Sequence, residues 1–191
     1  MPHGAVVVNL SYGARDPSLP EETVVELQRR TDYVLVDKIA WKKPRAMPFQ
    51  ASATRLARIW EALYVFCRRG HEHSFTTNKR LTKRSTTGQR CYGNVWNYVE
   101  AANNNGGGSR VRHMKAAFSS ELVRWLLDVY FPLGAVVLDP FCGSGTVPLA
   151  CAQTGRHHVG IELERSLVLH ARRRVTAAPT VADAVPGDAT A

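Results

Sequence analysis

The sequence predicts an α/β protein, and three observations carry that expectation. Apolar runs of strand length (AVVVNL at 5–10, LYVFC at 63–67, AVVLD at 135–139) alternate with segments whose apolar residues fall at helical spacing. A glycine-rich turn joins a buried-type strand to a helix at 136–146. With 191 residues, 45% hydrophobic and 21% charged, the chain can bury a core, as one domain or one domain with an appendage.

Taken in order, residues 5–10 read as a short buried strand, closed by Ser11-Tyr12-Gly13 and Asp16-Pro17. Pro20-Glu21-Glu22 opens a helix, with a proline and acids in its first turn and Val24, Val25 and Leu27 following. DYVLVDKIAW at 32–41 alternates and favours a strand. The loop KKPRAMP at 42–48 is basic and holds two prolines, and RLARIW at 55–60 leads into the buried strand EALYVFCRR. FSSELVRWLLDVY at 118–130 has a helix start at Ser119 or Ser120, and Gly134 ends that unit. AVVLD is the next strand, VPLACAQTG a helix, HHVGIEL at 157–163 a strand, and RSLVLHARRRV a basic helix. From Ala177 the chain is small, Pro-containing and without periodicity, which predicts a disordered tail over 177–191.

Charge divides the chain further. Lys and Arg number 25 against 16 Asp and Glu, a net +9, with a pI near 9.8. The segment 68–115 alone contributes +8 of this, with ten basic groups opposed only by Glu72 and Glu100. It also holds Tyr92, Trp96, Tyr98 and the flexible run NNNGGGS at 103–109. Such an excess points to a polyanionic partner, nucleic acid first, with Lys79, Arg80, Lys83, Arg84, Arg90, Arg110 and Arg112 as candidate phosphate contacts. A solvated basic surface is the plainer alternative. No apolar run is long enough to span a bilayer, and no secretory pattern opens the chain. Four cysteines without a C-x-x-C pair favour a reducing cytosol. Cys67, His71, His73 and Cys91 have the residue types of a zinc site but match no standard spacing, so no metal is expected.

The chemistry-bearing motif is V-V-L-D-P-F-C-G-S-G-T at 136–146. A strand ends in Asp139. Gly143 and Gly145 then let the backbone turn tightly and approach a ligand, and the new helix presents free N–H groups to the same spot. Glu162 ends the following strand, 23 residues after Asp139. An acid in that position is where nucleoside-cofactor folds hold ribose hydroxyls. A glycine turn can instead serve only to pack helix on sheet, but the strand–turn–helix–strand context around this one favours a ligand.

On these residues the chain resembles the bacterial and phage DNA methyltransferases that act on adenine N6 or cytosine N4. VLDPFCGSGTVPLACAQTGRHHVGIELERSLVLHARRRV is similar to their S-adenosylmethionine-binding motif. HMKAAFSSEL at 113–122 resembles the cofactor-flanking helix, with Ser119 where proline is usual. DKIAWKKPRAMP and RLARIWEALYVFCRRG resemble further family segments, so the likeness covers most of residues 4–175. The resemblance implies a Rossmann-like methyltransferase sheet and S-adenosyl-L-methionine as cofactor. It implies cofactor contacts from Phe118, Ser119, Asp139, Pro140, Phe141, Gly143, Ser144, Gly145, Thr146 and Glu162. It further implies the permuted order of parts: 1–67 as the remainder of a catalytic half, 68–112 as a target-recognition insert on DNA, and 113–176 as the cofactor half.

The family's catalytic tetrapeptide, (Asp/Ser/Asn)-Pro-Pro-(Tyr/Phe/Trp), is not in the chain, which has no Pro-Pro. PHGAVVVN at 2–9 resembles the strand that comes after it in the family, which would set Met1 inside the catalytic half. The expected sheet is therefore incomplete, and no residue here is a catalytic candidate. Three readings are open: a split gene with a second chain supplying the catalytic half, a misplaced start or truncation, or a non-catalytic DNA-binding remnant. Methylation of RNA or protein is a further rival. A cytoplasmic, nucleoid-associated location is implied by the family resemblance.

Overall fold

The computed structural model describes residues 4–11, 16–42, 59–75, 77, 93–96 and 119–178. The chain divides into two compact units, residues 1–100 and 101–191.

The first unit is a four-stranded sheet with one helix on it. Strand β1 (Ala5–Leu10), helix α1 (Leu19–Arg30), β2 (Tyr33–Lys42), β3 (Trp60–Arg68) and the two-residue β4 (Val95–Trp96) pair in the order β1-β3-β2-β4. The most apolar run takes the central place. Ala62 to Cys67 of β3 are all buried, with β1 and β2 antiparallel on either side. A register shift between Leu35 and Asp37 lets β2 follow β3 over its full length. Helix α1 starts as its residues dictate. Asp16 accepts the N–H groups of Ser18 (3.0 Å) and Leu19 (3.1 Å), Pro20 sits in the first turn, and Arg29 and Arg30 close the C-terminal end. Its inner face buries Val24 and Leu27 on Ala62, Tyr64 and Phe66.

The basic segment offers one structural surprise. Val95–Trp96 adds a short parallel strand to β2, and Trp96 is 1% exposed. Its indole donates to the Gly93 carbonyl at 2.8 Å, and the Asn94 carbonyl accepts the Ala40 N–H at 2.8 Å. A buried indole needs a partner for its N–H, and a local carbonyl supplies it.

The second unit is helix α2 (Ser120–Tyr130), β5 (Val136–Asp139), α3 (Thr146–Gln153), β6 (His157–Gly160) and α4 (Arg165–Thr176). Ser119 is the N-cap of α2, its hydroxyl accepting the Leu122 N–H at 2.9 Å. Val123 and Leu127 of α2, Val137 of β5, and Ala150 and Cys151 of α3 form its core. Strands β5 and β6 pair in parallel, Val136 opposite His157 through Asp139 opposite Gly160. The strand expected over 157–163 ends at Gly160, because the Ile161 N–H completes the ladder to the Asp139 carbonyl and the chain then turns away. The guanidinium of buried Arg156 ties the end of α2 to this pair. It donates to the carbonyls of Leu127 (3.1 Å), Phe131 (2.8 Å) and Thr154 (3.0 Å). No described helix is long and apolar enough to cross a membrane. Of the tail expected from Ala177, only Ala177 and Ala178 are described, and Cys91 of the zinc alternative also lies outside the described residues.

Candidate functional site

Two parallel neighbours end at the same edge of a sheet, so the segments leaving β5 and β6 are brought together there. The glycine turn leaves β5, and Ile161-Glu162-Leu163 leaves β6. The Cys142 N–H donates to the Ile161 carbonyl at 2.9 Å, which lays the turn across the end of β6. The Gly145 N–H closes the turn on the Cys142 carbonyl at 2.8 Å. Both glycines have positive φ, +49° at Gly143 and +82° at Gly145, a region a side chain rarely adopts. Gly160 is needed for a different reason. A Cβ there would stand 3.0 Å from Cys142 Sγ and 3.1 Å from its Cβ, so only glycine lets the turn lie this close to β6.

The two acids predicted to define the site converge through the backbone. Glu162 Oε2 accepts the Gly143 N–H at 2.9 Å, and Oε1 accepts the Glu164 N–H at 2.9 Å. Asp139 Oδ1 accepts the Phe141 N–H at 3.1 Å. Their electrostatics differ. Burial raises the Asp139 carboxyl above its ordinary range; the Phe141 N–H opposes this and the Glu162 charge adds to it. Glu162 is lowered, first by the Glu164 N–H, with burial opposing and the Gly143 and Leu163 N–H groups assisting. The Cys142 thiol is pushed up by burial and by the charges of both acids.

Ser144, Gly145 and Thr146 are buried in the turn, and Pro140 and Phe141 project from it, Phe141 88% exposed. The hydroxyl of Ser119 is engaged in capping α2. Phe118 and the basic residues Lys79, Arg80, Lys83, Arg84, Arg90, Arg110 and Arg112 lie outside the described residues. The structure adds four residues that the sequence reading did not single out: Gly160, Leu163, Ala171 and Arg174. Leu163 is fully exposed beside Glu162, and its position next to a motif acid was the only signal for it. Arg174 of α4 turns onto Ser144, whereas Arg172 and Arg173 are exposed.

A carboxylate whose two oxygens each accept one backbone N–H is fixed in orientation yet keeps lone pairs on both oxygens. It can therefore still receive the two hydroxyls of a ribose. Beside it lie an acid that tolerates a cationic group, a backbone stripped of Cβ atoms, and exposed apolar side chains. That set suits a cationic nucleoside ligand.

The N6/N4 methylase family model, described as DNA methylase, matches residues 1–173. The chain is 33% identical over 143 residues to the type II methyltransferase M.XycI of Xanthomonas campestris pv. cyanopsidis, covering 75% of this chain and 45% of that protein. It is 32% identical over 150 residues to M.Cfr9I of Citrobacter freundii, covering 78% and 47%. The chain thus spans about half the length of the curated relatives it matches. Among solved structures, the M1.HpyAVI–SAM complex superposes with a TM-score of 0.67 at 23% identity, over 92% of this chain and 76% of that one. The cytosine-N4-specific PvuII DNA methyltransferase superposes with a TM-score of 0.71 at 15% identity, over 91% and 64%. These structural likenesses establish the fold.

Proposed function

The chain belongs to the N6/N4 DNA methyltransferase family, and from that premise we propose that it carries the S-adenosyl-L-methionine-binding part of an enzyme that methylates adenine N6 or cytosine N4 in DNA. One observation carries the reading. Asp139, the glycine turn and Glu162 converge at the C-terminal ends of two parallel strands, with Glu162 locked onto the turn by the Gly143 N–H at 2.9 Å.

When bound, S-adenosyl-L-methionine supplies an electrophilic methyl group on a sulfonium. The chain's residues bind and orient. Glu162 receives the ribose hydroxyls, Asp139 offers its charge to the cationic part, and the turn from Pro140 to Thr146 supplies backbone contact. Phe141 and Leu163 give apolar walls, and Phe118 and Ser119 flank the methionine end. The basic residues between 68 and 112 engage DNA phosphates in this reading, and the target base leaves the stack to be reached. Rate enhancement of such a transfer rests on positioning. No residue of this chain is assigned the task of accepting protons from the target amino group.

Calorimetric titration of the full chain with S-adenosyl-L-methionine tests the site. Asp139→Ala is expected to abolish measurable binding, and Glu162→Ala to weaken it at least about tenfold, the loss of hydrogen bonds to a charged group. Unchanged affinity in both would contradict the assignment.

A further inference from the structure

Helix α4 meets the back of the glycine turn at two places one helical turn apart. At Gly145 the approach is so close that a Cβ would stand 2.6 Å from the Ala171 Cβ. Three residues on, the Arg174 Nη1 donates to the Ser144 carbonyl at 2.8 Å and to Ser144 Oγ at 3.2 Å. Ser144 is 6% exposed. Among the described residues Arg174 forms no salt bridge, and this partly buried cation bonds a backbone carbonyl and a hydroxyl instead of a carboxylate. Burial accordingly lowers the guanidinium's proton affinity. Such an arrangement does little for charge pairing and much for geometry. In a trans peptide the C=O and N–H point in opposite directions. Holding the Ser144 carbonyl toward α4 therefore turns the Gly145 N–H away from it, onto the Cys142 carbonyl that closes the turn at 2.8 Å. The same peptide leads into Thr146 and Val147, the first two residues of α3, whose N–H groups precede any intrahelical partner.

We propose that Arg174 is a positioning residue for the glycine turn: from α4 it fixes the Ser144–Gly145 peptide and so holds the turn in the form that receives S-adenosyl-L-methionine. The proposal rests on the assignment of this turn as the cofactor site. Ala171 and Gly145 set the distance, and Arg174 sets the orientation. Both bonds come from the single nitrogen Nη1, so a lysine ammonium can replace the charge and the donors but not the fixed plane of the guanidinium.

The test compares the full-length wild type with Arg174→Met and Arg174→Lys in two measurements. Amide hydrogen exchange without ligand is expected to rise about tenfold or more at Cys142 and Gly145 in Arg174→Met, the loss of one charged hydrogen bond. The amides of His157 and Ile161 in the β5–β6 ladder should keep their wild-type rates. Affinity for S-adenosyl-L-methionine should fall by a similar factor, and Arg174→Lys should recover part of both. Unchanged exchange at the turn would overturn the proposal. So would a uniform rise throughout the unit that lysine does not relieve, since that is general destabilisation. If the wild type binds no cofactor, the functional reading falls, while the exchange measurement still decides whether Arg174 holds the turn.

Discussion

At the scale of single residues, Asp139 and Glu162 sit at the same end of the β5–β6 pair and respond oppositely to pH. Asp139 is raised chiefly by burial, so the folded chain holds that proton more tightly than the unfolded chain, whose carboxyl titrates at about 3.9. Stability therefore falls as pH rises from there through the raised folded value, and at neutral pH the charged Asp139 is a cost. Asp139→Asn, which can still accept the Phe141 N–H, is expected to raise the urea midpoint at pH 7 and to flatten this part of the pH dependence while cofactor binding is lost. Glu162 is lowered, so its contribution is present above the unfolded carboxyl value and is lost as pH falls through the lowered one. A urea midpoint for Asp139→Asn below wild type at pH 7 would contradict this reading of Asp139. Both acids could be singled out in the sequence by local spacing: Asp139 ends β5, and Glu162 follows the end of β6 by two residues. Arg174 and Gly160 could not. Arg174 acts across 30 residues and Gly160 across 18, and neither contact leaves a periodic trace.

At the scale of elements, local chemistry predicted most boundaries. Ser119 caps α2, Pro20 and the acids open α1, and the glycine turn opens α3, each by satisfying or lacking backbone donors as its residue type dictates. The misses have physical causes. The strand over 157–163 stops at Gly160 because β5, its partner, ends at Asp139. The two-residue strand Val95–Trp96 exists through pairing with β2, which no local pattern encodes. Arg156 illustrates how one side chain can secure an element. It saturates the carbonyls of Leu127 and Phe131 at the end of α2, while its ion-pair partner Asp128, 3.3 Å away, is half exposed and adds little. Arg156→Met is expected to lower stability by about 1–3 kcal/mol, since the Phe131 carbonyl loses the guanidinium donors while that of Leu127 keeps the Phe131 N–H. Asp128→Ala should cost well under about 1 kcal/mol. Denaturant unfolding of both variants checks the contrast, and equal losses would mean that the ion pair, not the capping, matters.

At the scale of the whole molecule, the α/β class and the family were legible. The family rests on a motif whose spacing is set by strand and helix lengths, and the class on apolar runs of two distinct periods. Sheet order was not legible: antiparallel β1-β3-β2 and parallel β5-β6 have equally apolar strands, and periodicity carries no partner information. Parallel strands usually lie buried on both faces. Among the described residues β5 pairs with β6 alone, and Val136, Leu138 and Val159 stand exposed on the pair. The proposed cofactor-binding geometry nevertheless draws its central parts, Asp139, the turn, Glu162 and Arg174, from residues 139–174 of one unit. The most direct test of that claim is a titration of the full chain with S-adenosyl-L-methionine followed through backbone amide resonances. Saturable shifts are expected at Gly143, Gly145 and Glu164, the amides of the turn and of the Glu162 clasp. Saturable shifts elsewhere with these three unmoved, or no shifts at all, would contradict the assignment of this turn as the cofactor site.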